Sequence, residues 1–233
     1  MKTIIFCGGE GMRLREYTDK IPKPLVEIGG KPILWHIMKY YVYYGFNDFI
    51  LCLGYKKEKI IEYFKGNKEF NIKFVDTGLK SSKGERLRQV KNYIISQGEN
   101  FWVAYGDDLA DINLLDLLKF HKQNKKIVTL TTVQAISQFG VLDFDGPIVT
   151  KFTEKPVLDY WINGGFYIMN KKIFDYLKSG WDLEKEAFEK LVEEREICAF
   201  KHKGFWKCVN TFKDTLELNE LWNDNKAVWK VWE

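Results

Sequence analysis

An α/β fold is what the 233 residues predict, with a mixed, mainly parallel sheet flanked by helices and Rossmann-like in layout. Three observations carry it. Short apolar runs at residues 4–7, 48–53 and 101–105 have the length and the β-branched or aromatic content of buried strands. Segments with apolar residues at helical spacing separate them, which calls for right-handed crossovers between parallel strands. Glycines follow the first run at Gly8, Gly9 and Gly11, and sheets of this kind bind ligands at the carboxyl ends of their strands.

Taken in order, residues 4–7 (Ile-Ile-Phe-Cys) open the sheet, and residues 32–45 form a helix ended by Gly45 as its C-cap. Residues 48–53 are the next buried strand, 57–64 a helix, 71–75 a strand and 86–96 a third helix. The run at 101–105 ends in Gly106-Asp107-Asp108, placing these residues at a strand's carboxyl end like the glycine loop. A helix at 114–123 precedes a strand at 126–133; Asp145-Gly146 then marks a hairpin between 139–144 and 148–152. Residues 161–169 read as a strand whose internal glycines suit close approach by a ligand. Helices at 171–177 and 183–194, a strand at 197–201 and a helix at 215–224 complete the pattern. The tail, with Trp222, Trp229 and Trp232, is aromatic enough to pack onto the body. With no repeat and no low-complexity linker, residues 1–233 read as a single domain.

Composition excludes several classes. Hydrophobic residues at 45% and charged residues at 29% describe an ordinary globular chain, not a disordered one. The net charge of +4 is mild and spread as lysines beside acids, so nucleic acid is not an expected partner. The four cysteines form no C-x-x-C pair, and Cys7 and Cys52 sit in apolar runs, as buried thiols of a reducing compartment do. No apolar stretch approaches the roughly 18 residues of a membrane span, so the expectation is a cytoplasmic protein without a membrane partner.

The candidate chemistry gathers at the strand ends. Glycines at 8, 9 and 11 leave main-chain N–H groups bare, and a nest of such groups suits phosphate. Arg13 can reach back over the loop as a planar fork for phosphate oxygens, and Lys23, between Pro22 and Pro24, sits on a stiffened segment. The loop is neither the Walker pattern nor the G-x-G-x-x-G fingerprint, and its spacing alone leaves a plain glycine turn open. Asp107 and Asp108 at a strand's end can hold Mg²⁺ while phosphates and water supply the other oxygens; a helix-start cap with solvated charges is the alternative. Asp111 is a third acid there or a cap. His36, His121 and His202 are not grouped at ligand spacing and read as helix or surface residues.

Residues 8–14, GGEGMRL, followed by IPKPLVEIGGKPILWHIMKYY, resemble the start of the sugar-nucleotidyltransferase family, and the second stretch resembles its glucose-1-phosphate cytidylyltransferase branch. Matches run from the first strand to the final LWNDNKAVWKVWE. The resemblance implies the nucleotidyltransferase fold and a CTP-dependent reaction. In it, a phosphate oxygen of a phosphorylated acceptor attacks the α-phosphate of the nucleotide in line and expels pyrophosphate, supplying a CDP-activated precursor for surface or capsule polysaccharide. By the same resemblance Gly8, Gly9, Gly11, Arg13, Lys23, Arg86 and Gly106 serve the nucleotide. Asp107 is a ligand of Mg²⁺. Glu154 and Lys155 of an E-K-P motif, with Asn163 and Gly164 of an I-N-G-G-F motif, serve the acceptor. A homo-oligomer is also expected.

Departures from the pattern fall in or near that site. Met12 stands for a threonine, Glu85 and Asp108 for glycines, and Asn210 for a second metal-binding aspartate. The amide oxygen of Asn210 can still coordinate Mg²⁺, and Asp108 is positioned in sequence to restore the lost charge. Between Tyr63 and Thr77 the connection is shorter than in the glucose enzymes. These changes suggest a remodelled acceptor pocket, for glucose 1-phosphate or for a phosphorylated glutamine as in relatives that make capsular phosphoramidate. A UTP- or GTP-using enzyme and a non-catalytic nucleotide sensor are the remaining readings.

Overall fold

The computed structural model describes residues 1–11, 20–96 and 98–233. β1 (Thr3–Phe6) leads through a 3-10 turn at Lys23–Leu25 to a ribbon of β2 (Glu27–Ile28) and β3 (Lys31–Pro32). Gly29 and Gly30 join that ribbon with φ of 58° and 72°, as a tight two-residue turn requires. Then follow α1 (Ile33–Tyr43), β4 (Asp48–Leu53), α2 (Lys57–Tyr63), β5 (Asn71–Asp76), α3 (Lys83–Gln89), α4 (Lys91–Ile94), β6 (Asn100–Tyr105) and β7 (Asp108–Ala110). After α5 (Leu114–Asn124) come β8 (Val128–Ile136), β9 (Val141–Asp145), β10 (Ile148–Thr153) and β11 (Val157–Asn170). A 3-10 segment Lys171–Tyr176 and a π-helical turn Leu183–Ala187 lead to α6 (Phe188–Glu193), β12 (Ile197–His202), β13 (Trp206–Cys208) and α7 (Phe212–Asn223).

Seven strands form one sheet in the order β12-β8-β11-β6-β1-β4-β5. β11 runs against both of its neighbours; the other pairings are parallel. The mixed, mainly parallel sheet expected from the sequence is therefore present. Both faces are covered, and alternation along the strands divides the side chains between them. Ile5, Phe49, Leu51 and Leu53 pack on the α1 side, whereas Ile4, Ile50 and Cys52 pack against α3 and the segment around Leu183. That is why the central strands read as unbroken apolar runs.

The tail packs as its tryptophans suggest. Trp229 is fully buried and lies with Trp222 and Trp232 around His36, whose Nε2 donates to Ile28 O at 2.8 Å. Trp229 Nε1 approaches His36 Nδ1 at 3.5 Å, which fits a neutral ring, and burial lowers the pKa of His36 to about 4. His36 and His121 are thus buried residues of α1 and α5, in keeping with the helix reading of both.

Several boundaries also differ from the sequence pattern. The helix expected at 86–96 starts at Lys83, capped by Ser82 Oγ accepting from Glu85 N, and breaks at Val90. α7 starts at Phe212, because Thr211 and Asp214 form a capping box that precedes the apolar periodicity. The segment 183–194 divides into a π turn and α6, and 171–177 is 3-10 rather than α-helical. The ribbon of β7 and β13 pairs segments about a hundred residues apart, beyond the reach of local periodicity. Among the described residues no helix is long and apolar enough to cross a membrane.

Candidate active site

β1 and β6 lie side by side and parallel, so the glycine loop after β1 and Gly106-Asp107 after β6 emerge at the same sheet edge. Gly106 N donates to Phe6 O at 3.1 Å, and a Cβ on Gly106 would lie 2.9 Å from that oxygen. A side chain there would push Asp107 away from the loop. Gly8 is buried and Gly9 open to solvent, with nothing within 4 Å of a Cβ added to it; Gly11 has φ of 64°. The loop therefore presents its middle to any ligand. Arg13 and Met12 lie outside the described residues.

Arg86, expected to serve the nucleotide, lies against the glycine loop that follows β1. Its guanidinium is buried beneath the loop, where Nη1 donates to Leu53 O (3.0 Å) and Thr77 Oγ1 (2.6 Å), and Nη2 to Gly8 O (3.1 Å) and Leu79 O (3.3 Å). A Cβ on Gly8 would sit 2.0 Å from Nη1. The reach of Arg86 is thus to the backbone that shapes the loop, and burial lowers its pKa. α3 holds it there from behind β4 and β5.

Across the loop, Lys23 opens the 3-10 turn Lys23–Leu25 behind Pro22 and is directed inward. Its ammonium pairs with the Asp107 carboxylate and donates to Asn210 Oδ1 at 3.2 Å. Asn210 is fixed by the start of α7, since its N–H donates to Asp214 Oδ2 at 2.9 Å. Val209 N donates to Asp107 O at 3.0 Å, which ties the two strand ends together. The structure thus brings Lys23, Asp107 and Asn210 to one point. Two oxygens, one anionic and one amide, converge there on a cation, and that donor set also suits Mg²⁺.

Asp108 takes a different position. It lies on β7, 2% exposed, with its Oδ2 2.1 Å from where a Cβ on Gly165 would stand. Burial, and then the charge of Asp107, push the pKa of Asp108 well up. Gly165 has φ of 76°, so Gly165→Ala meets both backbone strain and the Asp108 carboxylate. The expected loss of stability is about 2–4 kcal/mol, and Asp108→Gly should return the steric part, leaving about 1–2 kcal/mol of strain. Urea unfolding of the two single variants and the double variant measures this coupling; strict additivity would exclude the contact.

The acceptor residues fall into two groups. Asn163 accepts from Gly165 N at 3.1 Å and donates to Tyr167 Oη, whose hydroxyl lies 2.5 Å from Tyr105 Oη. Tyr105 in turn donates to Glu184. Gly164 O accepts from Trp206 Nε1 at 2.8 Å, so the Asn163-Gly164 bend is braced at the mouth beside Asp108. Glu154 and Lys155 lie in the connection from β10 to β11, 3.7 Å apart and exposed, with Lys155 at φ of 45°. Because β11 runs against β6 and pairs Phe166 with Ala104, its earlier residues extend beyond the sheet's carboxyl edge, on the side of the glycine loop. No described contact ties Lys155 to Lys23 or Asp107.

Two further observations concern residues that the sequence pattern leaves unassigned or ambiguous. Asp111 pairs with His202 Nε2 at 2.9 Å and is not a helix cap; Asn113 caps α5. Cys208 stands opposite Asp108 across the β7–β13 ribbon. Its neighbour Asn210 was the available signal, but nothing local pairs Cys208 with Asp108.

Residues 2–225 match the nucleotidyl transferase family. The chain belongs to that family. Its matches include the Bacillus subtilis protein described as a "Probable glucose-1-phosphate cytidylyltransferase", 43% identical over 256 aligned positions that cover all of both chains. The glucose-1-phosphate cytidylyltransferase of Salmonella typhi is 40% identical over 260 positions, again covering both chains fully. Among solved structures, HddC from Yersinia pseudotuberculosis, complexed with GMP-PN, superposes with a TM-score of 0.74 at 25% identity, covering 95% of this chain and 99% of its own. This nucleotidyltransferase is therefore an enzyme of the class that joins a nucleotide to a phosphorylated acceptor, and the described site lies where such sheets bind ligands.

Proposed function

We propose that the chain, acting as one domain, transfers CMP from CTP to a sugar 1-phosphate, with glucose 1-phosphate as the first candidate, and releases pyrophosphate. Full-length identity to glucose-1-phosphate cytidylyltransferases supports the nucleotide. The convergence of Lys23, Asp107 and Asn210 beside the glycine loop carries the reaction.

The loop N–H groups from Gly8 to Gly11 hold the triphosphate, and Arg13 neutralises it on the resemblance to the family. Asp107 and Asn210 would hold Mg²⁺, which when bound screens the triphosphate and polarises its α-phosphorus. Lys23, at the same point as Asp107 and Asn210, supplies its ammonium to the phosphate oxygens. Arg86 keeps the loop's shape from below. Asn163 and Gly164 bound the acceptor, and Lys155 meets its phosphate from the extended β11 end. Catalysis is then positioning of two polyanions and shielding of their repulsion.

A second acceptor class has a specific observation behind it. Asp108 fills the hollow at Gly165 beside Asn163-Gly164, and the chain has 233 residues against 256 aligned positions, in keeping with the short connection before β5. A smaller or amide-bearing phosphate fits a pocket altered in this way. Exposed Phe139, just before the β9–β10 hairpin, and exposed Phe144, Ile148 and Phe152 on it support a homo-oligomer.

Pyrophosphate release should be measured with Mg²⁺, each of the four ribonucleoside triphosphates, and a panel of sugar phosphates and phosphorylated amides. CTP with glucose 1-phosphate is the expected best pair. Release with an amide phosphate alone would move the acceptor, and CTP binding with no release would make the chain a sensor.

A further inference from the structure

The Lys23–Asp107–Asn210 cluster shares Asp107 with a second grouping, whose other members, Asp108 and Cys208, the transfer reaction does not use. β7 and β13 are antiparallel with Asp108 directly opposite Cys208, so both side chains leave the ribbon on one face. One ligand atom each from Asp107, Asp108 and Cys208 lies within 4.8 Å of the others. Acidic groups often cluster without a metal; what distinguishes this one is the state of Asp108. It is 2% exposed, yet its Oδ1 has no hydrogen-bond partner among the described residues. A buried carboxylate oxygen left this way needs a cation or a proton to offset its desolvation.

We propose that Asp107, Asp108 and Cys208 form a site for a borderline-soft divalent cation of the zinc or cobalt class. Two carboxylates and a thiolate are a donor set that Mg²⁺ does not seek, because hard cations take oxygen and leave sulfur. Zinc and cobalt accept both, and three protein donors leave a coordination position open to water or to a phosphate oxygen. On binding, the Cys208 thiol gives up its proton to solvent and its sulfur lone pair forms the bond to the metal; no electron transfer is involved. Asp107 belongs to both groupings, so the ion competes with Lys23 for this carboxylate. That last consequence rests on the cytidylyl-transfer reading, whereas the site itself does not.

The test is a Co²⁺ titration of the reduced protein without nucleotide, followed by near-ultraviolet absorption. A thiolate-to-cobalt charge-transfer band should grow to saturation at one equivalent and be lost in Cys208→Ser. Asp108→Asn should weaken Co²⁺ binding by about tenfold or more. Absence of the band in the parent, or its persistence in Cys208→Ser, overturns the proposal. If either variant fails to fold, the parent alone decides. Zn²⁺ should slow alkylation of Cys208 by iodoacetamide, read by peptide mass spectrometry, and EDTA should reverse this; an unchanged rate overturns the site. Because neither readout contains CTP, a protein inactive in CMP transfer can still pass, and an active one can fail.

Discussion

Asp107→Asn is expected to lower kcat/KM for pyrophosphate release about 10²- to 10³-fold, the range for removing one preorganised electrostatic partner. The substitution keeps the side chain's shape and removes its charge. Two effects combine. The carboxylate that would hold Mg²⁺ becomes a neutral amide beside Asn210, which is neutral already, so the ion loses its only charged ligand of that pair. Lys23, mostly buried, loses the anion that positions its ammonium. The rate loss should be partly recovered at high Mg²⁺, because weakened affinity can be offset by concentration whereas lost orientation cannot. An unchanged rate with CTP would remove Asp107 from the reaction and with it the assignment built on its pairing with Lys23.

Arg86→Met should lower the unfolding free energy by roughly 2–4 kcal/mol, seen as a reduced urea midpoint at unchanged slope. The guanidinium donates four hydrogen bonds to groups on β4 and in the connections after β1 and β5, and among the described residues no carboxylate shares them. Methionine fills the volume but supplies no donor, so Leu53 O and Gly8 O lose a charged partner in a buried place. Arg86→Lys should fare little better, since one ammonium cannot span the fork. The apparent affinity for CTP should fall in parallel with stability as the loop loses its support. A stable variant with a strongly raised KM for CTP would instead put Arg86 on the nucleotide, as the family resemblance implies.

Part of the site was legible in the chain because its residues sit in short motifs at strand ends. Gly106-Asp107 follows an apolar run, and the glycine loop follows another; a parallel sheet brings such ends to one edge whatever lies between them. Lys23 between two prolines was legible for the same local reason. The fate of Arg86 was not, because its motif says which element carries it and not on which side of the loop the guanidinium comes to rest. Asp108 looked like the twin of Asp107 in sequence. Asp107 stands in the turn before β7 and pairs with Lys23, whereas Asp108 opens β7 and is buried against Gly165, opposite Cys208.

Alternation, helical spacing and glycine placement determined the layer architecture and the edge at which chemistry gathers, since these follow from which face of each element must leave water. Only the tertiary structure decided that Lys23 meets Asp107 and Asn210, across separations of 84 and 187 residues, and that Cys208 stands against Asp108. The physical reason is range: burial preference is written residue by residue, whereas a pairing between distant side chains is set by how whole elements pack, and no local pattern records it.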